Sequence, residues 1–210
     1  MADYTFFTNP MSRGWIAWWA LHEVGAEYEP VIVDWTDKPK DLVEANPMAK
    51  VPTLVHHHQA NHVHVVTECA AICHYLALAE NSDLAPRPEE IANYFRWLFF
   101  AAGPVEQAVT AKSMGFEPSA EQQAMAGFGS LERTVDALDG WLSQHAHVCG
   151  DRFTMADVYV GAQVDWGLRF GSLPERDALR DYAERIRGRD AYRQTEQVCA
   201  RYMPEEGQNG

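Results

Sequence analysis

Residues 46–73 hold the groups best suited to bind a small charged molecule. Val51-Pro52 sits in a short apolar run, 51–55, where a strand would donate a backbone hydrogen bond, and proline has no N–H to give. A cis Val51–Pro52 bond is one reason for such a proline, because it turns neighbouring backbone groups outward to meet a ligand. Glu68 and Cys69 follow where a helix opens. The first N–H groups of a helix lack intrahelical partners, and the helix dipole favours an anion there. Between these points His56, His57, His58, His62 and His64 crowd one hairpin. On strands, His56 and His58 share a face, as do His62 and His64, so two pairs could meet across the ladder. No acid or cysteine completes a four-ligand set, and no bound metal is expected.

The elements that position these groups change period quickly. Residues 4–8 form a β-rich run. Residues 13–24 are helical, with Ile16, Trp19, Ala20 and Val24 on one face and Gly25 as the stop. Strand 28–33, a short helical turn 41–45, strands 51–55 and 63–66 joined around Gln59-Ala60-Asn61, and a helix 67–79 complete the first part. The stretch 81–88, rich in turn formers, reads as a linker. Beyond it every periodic segment is helical. Residues 91–109 follow a 3.6-residue period across Gly103-Pro104, which predicts a kink rather than a stop. A second long helix is expected over 121–144, and a third opens at Thr154-x-x-Asp157, a capping box. Two more begin near Glu175 and Asp190.

Composition narrows the classes. The chain has 210 residues, 47% of them hydrophobic, with a formal net charge of −13, which argues against nucleic acid as a partner. No apolar run approaches a membrane span and no signal peptide precedes Tyr4, so a cytoplasmic protein without membrane partners is expected. The four cysteines, Cys69, Cys73, Cys149 and Cys199, form no CxxC pair and read as reduced thiols.

The βαβ-then-ββα order, with Val51-Pro52 at the third strand and Glu68-Cys69 where Glu-Ser is usual, resembles the soluble glutathione transferases, in a bacterial-like form. The resemblance covers nearly the whole chain. It implies an α+β/α architecture: a thioredoxin-like domain over 1–80, a linker over 81–88, and an all-helical bundle domain over 89–210. It implies glutathione as co-substrate, no metal, and a homodimer. The implied reaction adds the glutathione thiolate to a small hydrophobic electrophile. Alternatives are a non-catalytic interaction module on the same fold, or a glutathione-dependent isomerase, dehalogenase or disulfide-bond reductase.

By the same resemblance, Val51 offers its backbone to the cysteinyl part of glutathione, Pro52 enforces the turn, and Glu68 with the N–H of Cys69 meets the γ-glutamyl end. Lys38 or Lys50 pairs with the glycyl carboxylate. A thiol pKa of about 8.5 must fall by about two units, roughly 2.7 kcal/mol, for most of the sulfur to ionise at neutral pH. A helix N-terminus and one short polar side chain can share that task. Both belong at Thr8-Asn9-Pro10-Met11-Ser12-Arg13, where the first strand meets the first helix. The place of a tyrosine donor holds Phe7, so Ser12, Asn9 or Thr8 is expected to reach the sulfur. Ser12 can equally be a plain helix cap. No cysteine lies between Met1 and Cys69, which disfavours exchange through a protein thiol at this junction. In the helical part Trp97, Met114 and Trp166 are expected to touch the electrophile, although aromatic residues at helical spacing are mostly core.

Overall fold

The computed structural model describes residues 2–58 and 62–203, with His62 by its backbone alone. Contacts divide the chain into two units, one of Met1–Ser82 with Arg189–Gly210 and one of Asp83–Gly188.

The first unit is built on strands β1 (Tyr4–Thr8), β2 (Tyr28–Ile32), β3 (Thr53–His58) and β4 (His62–Thr67), in the order β2-β1-β3-β4. β1 pairs in parallel with β2, while β3 runs antiparallel to β1 and β4. The parallel pair requires a crossover, supplied by helix α1 (Gly14–Val24). Gly25 ends α1 in the left-handed conformation, φ 67°, which favours glycine. Helix α2 (Lys40–Ala45) covers one face of the sheet by packing Leu42 with Phe7 and Val33. Helix α3 (Cys69–Ala79) follows β4. The tip of the β3–β4 hairpin, at Gln59, Ala60 and Asn61, lies outside the described residues.

Burial on α1 is wider than the single face that periodicity predicts, with every residue from Gly14 to Leu21 buried. The cause is helix α9 (Asp190–Ala200), which packs on α1 within this unit. Tyr192 sets its ring edge-on against Trp15 and Trp19, at 4.9 and 5.2 Å between centroids. The sequence reading groups this last helix with the helical domain over 89–210; its contacts instead join it to the first unit.

The second unit holds α4 (Ile91–Phe100), α5 (Glu106–Ser113), α6 (Leu131–Leu142), α7 (Met155–Arg169) and α8 (Asp177–Arg187). Between α4 and α5 the chain keeps winding through a five-residue π turn, Ala101–Val105, that holds Pro104, so the winding does not stop there. The expected single helix over 121–144 is not. A 3₁₀ turn, Gln122–Ala124, precedes a break, and α6 starts afresh at Ser130, whose hydroxyl accepts the Arg133 N–H. The Thr154–Asp157 capping box is formed, and the fully buried Asp157 carboxylate also accepts from the Val148 N–H and the Tyr182 hydroxyl, each at 2.8 Å.

Candidate functional site

The β1–α1 junction is shaped by close contact. A Cβ placed on Gly14 would lie 2.2 Å from the Thr8 hydroxyl, so the helix can begin there only with glycine. Asn9 turns the chain: its amide N–H donates to the Val33 carbonyl at 3.0 Å and its amide oxygen accepts the Met11 N–H at 2.8 Å. The Ser12 hydroxyl donates to the Asn9 carbonyl at 2.7 Å and accepts the Gly14 N–H at 3.0 Å. Arg13 then starts α1, and its carbonyl receives the Cys69 thiol at 3.4 Å, tying the beginnings of α1 and α3 together.

Beside this junction lies a cavity of about 300 Å³. One wall is Met11, Ser12 and Arg13; another is Val33 and Trp35 at the exit of β2; the rest is Lys38 with Ala49, Lys50 and Val51. Three cations line it and no carboxylate does, in a chain of net charge −13. That is the electrostatics of a site for an anion. The Lys38 ammonium reaches the Ala49 carbonyl at 2.6 Å, which bends the Lys38 segment over the turn before Pro52. The Val51–Pro52 bond is cis. The turn is braced from below by Asn46, whose amide N–H donates to Thr53 at 3.0 Å and to the Lys50 carbonyl at 3.2 Å.

The expected residues are therefore partly gathered. Ser12, Lys38, Lys50 and Val51 line the cavity, and Pro52 lies beneath it, buried. Asn9 and Thr8 stand behind the wall. The Thr8 hydroxyl is fully buried and has no hydrogen-bond partner. Glu68 is exposed at the start of α3, at φ 63° and ψ 115°. That conformation costs a residue with a side chain on the order of 1–3 kcal/mol, and such strain persists where function holds it. Cys69 is nearly buried, and its thiol is committed to Arg13. Phe7, at the place of a tyrosine donor, is core. Tyr4 gives its hydroxyl to Glu80, and burial and then Glu80 raise its pKa. Met11, Arg13 and Trp35 are wall residues that sequence reasoning missed. The −13 balance makes any clustered cations informative, yet their clustering depends on the fold.

In the second unit, Met114 lines a cavity whose lining does not include Trp97 or Trp166. Trp97 is buried, with Trp141 and Phe100 against its ring. Trp166 packs on Phe170 of its own segment. Met114, highly exposed, lines an apolar cavity of about 560 Å³ with Phe116 and Phe128. A larger cavity, about 680 Å³, adjoins Lys112 and Arg133 but also Glu117, Glu132 and Asp136, so its charge is mixed.

The histidine hairpin pairs as the strand period predicts, His56 opposite His64 and His58 opposite His62. Three of these side chains converge on the Tyr75 hydroxyl: His56 Nδ1 at 2.8 Å, His64 Nδ1 at 3.2 Å and His58 Nε2 at 3.5 Å. Burial, then His58, lowers the His56 pKa. Among the described residues, no group of three or more His, Cys, Asp or Glu is arranged to hold a metal ion. All four cysteines remain thiols, and burial pushes Cys149 up to about 11 and Cys199 up to about 12.

Comparison with known proteins agrees with this geometry. Residues 11–79 match the profile of the glutathione S-transferase N-terminal domain, and residues 92–190 that of the C-terminal domain. A disulfide-bond oxidoreductase of Escherichia coli, YghU, is 32% identical over 149 residues, covering 67% of this chain. The chain spans about half of that relative, 51% of its length. Glutathione S-transferase 2 of Schizosaccharomyces pombe is 26% identical over 82% of this chain and 78% of its own. Among solved structures, a sphingomonad glutathione S-transferase in complex with glutathione superposes with a TM-score of 0.72 at 27% identity, covering 93% of this chain and 98% of that one.

Proposed function

This chain belongs to the glutathione S-transferase family, and on that premise we propose that it binds glutathione in the cation-lined cavity and transfers its thiolate to a small hydrophobic electrophile. The observation that carries the reading is the wall itself: Arg13, Lys38 and Lys50 around one cavity, beside Val51 and a cis Val51–Pro52 bond. Glutathione carries two carboxylates and one ammonium. Lys38 and Lys50 take the glycyl carboxylate, the backbone of Val51 takes the cysteinyl amide, and Glu68 takes the ammonium. The start of α3 faces the γ-glutamyl carboxylate. Of the three candidates for the sulfur, Ser12 alone is on the cavity wall. Its proton now rests on the Asn9 carbonyl, and a rotation of the hydroxyl redirects it to the thiolate. The helix α1 terminus adds its dipole at the same point. Ser12→Ala is expected to lower turnover about ten- to a hundredfold, roughly 1.4–2.7 kcal/mol, since the backbone part remains.

The protein acts as a homodimer in the cytoplasm on this reading. No helix among the described residues is long and apolar enough to cross a membrane.

A second reading, glutathione-dependent reduction of disulfides, is favoured by the likeness to YghU. No cysteine lines the cavity, so glutathione would supply the attacking thiol. Turnover measured with an aryl halide, an organic peroxide and a mixed disulfide separates these reactions. Conjugation of the aryl halide supports the transferase; activity confined to the mixed disulfide replaces it with the reductase. Inactivity on all three despite glutathione binding supports a non-catalytic module.

A further inference from the structure

We propose that Asn9 is a positioning residue, which holds the cavity wall in place and does not contact the glutathione sulfur. This rests on the glutathione reading and concerns how that site is kept in shape. The Asn9 amide carries two N–H donors and one oxygen, and one N–H and the oxygen are bound to backbone. The N–H side binds the Val33 carbonyl at the end of β2, and the oxygen binds the Met11 N–H. Its own carbonyl receives two further bonds, from the Ser12 N–H at 3.1 Å and the Ser12 hydroxyl at 2.7 Å. Val33, Met11 and Ser12 all line the cavity, and Asn9 does not. One residue thus fastens the wall from the β1–α1 loop to the wall from β2.

The chemistry of the side chain fits that task. Asparagine accepts and donates within one rigid amide, so it can bridge a carbonyl and an N–H on separate segments. Aspartate keeps the acceptor but has no donor for Val33, and its charge would face that carbonyl. Alanine loses both contacts and frees the Met11 N–H. A donor aimed at the sulfur would have to be the second amide N–H, and Asn9 is not among the residues that line the cavity.

The test compares reduced glutathione with S-methylglutathione, which has no ionisable thiol. A positioning role predicts that Asn9→Ala weakens both ligands by the same factor, about tenfold. It also predicts that Asn9→Asp weakens them equally to a smaller extent, and that the pKa of bound glutathione is unchanged within each variant. A loss confined to reduced glutathione, with the bound thiol pKa raised, would place Asn9 on the sulfur and overturn the proposal. Amide hydrogen exchange of the unliganded protein provides an arm independent of glutathione. Faster exchange at Met11 in Asn9→Ala supports the brace, and exchange at the wild-type rate in that variant overturns it. Failure of the wild type to bind either ligand would count against the functional reading, while the exchange result still decides whether the brace exists.

Discussion

The two ends of helix α1 do opposite work with similar residue types. At the N-terminal end, the polar groups of Asn9 and Ser12 bend backbone around a cavity, and cations face it. At the C-terminal end, polar groups close the fold. His22 Nδ1 meets Thr195 of α9 at 2.8 Å, and Nε2 meets the Tyr28 hydroxyl at 2.7 Å. Trp18 donates to that hydroxyl at 2.8 Å, and Thr195 passes its own proton to the Ala191 carbonyl. A consistent set of donors has His22 neutral, with Nδ1 donating to Thr195 and Nε2 accepting from the Tyr28 hydroxyl, and burial lowers its pKa. Glu23 completes the clasp with a two-point pair to Arg189 and a bond from Trp19 Nε1. One end is satisfied from within the protein. The other spends its polar groups on shape and leaves a charged wall for a ligand.

The largest expected effect breaks the closed end. Glu23→Ala leaves the Trp19 indole and Arg189 without their carboxylate, and should destabilise the protein by about 3 kcal/mol in denaturant unfolding. Glutathione affinity of the folded fraction should stay within a factor of two of wild type. A large loss of affinity would mean that the two ends are coupled and the contrast false.

At the open end, Lys38→Ala with Lys50→Ala should weaken glutathione by about 1 kcal/mol for each residue, and more visibly at low salt. Unfolding should shift little for Lys50, which is exposed, and slightly more for Lys38, whose bond to Ala49 is lost. Equal affinity in the double variant would remove the cations from the site.

A further effect is one of pH. Burial lowers His22 from 6.5 to about 4, so the folded state takes up its proton less readily than the unfolded chain. The stability tied to neutral His22 is fully present above about pH 6.5 and is lost as pH falls toward 4. Burial lowers His74 and His56 too, which adds to the same slope. His22→Gln should flatten part of the decline in melting temperature between pH 6.5 and 4, while the glutathione site keeps its own pH profile. An unchanged slope would show that His22 is not the acid-sensitive part of the clasp.

The two ends also differ in how far they can be read from the sequence. Val51-Pro52 and the strand–helix order are local signals, and the sheet and the cis bond followed them. The direction of a hydroxyl or an amide is set by backbone that arrives from elsewhere. Ser12 and Asn9 looked equally able to face a sulfur until Val33 and Gly14 were seen to engage them. The clasp was invisible for a similar reason. The place of α9 depends on Tyr192 fitting against Trp15 and Trp19 some 175 residues earlier, and its sequence carries only an amphipathic period. The helix expected over 121–144 failed because its apolar spacing runs on through Gly127 and Gly129, while the Ser130 cap restarts the winding.

The central claim is that the cation-lined cavity holds glutathione with Glu68 on its amine. Calorimetric titration of reduced glutathione into the wild type and Glu68→Ala tests it most directly. The account predicts saturable binding by the wild type, and a loss of about 1.5–3 kcal/mol in the variant with its fold intact. No heat of binding to the wild type at millimolar glutathione would contradict it.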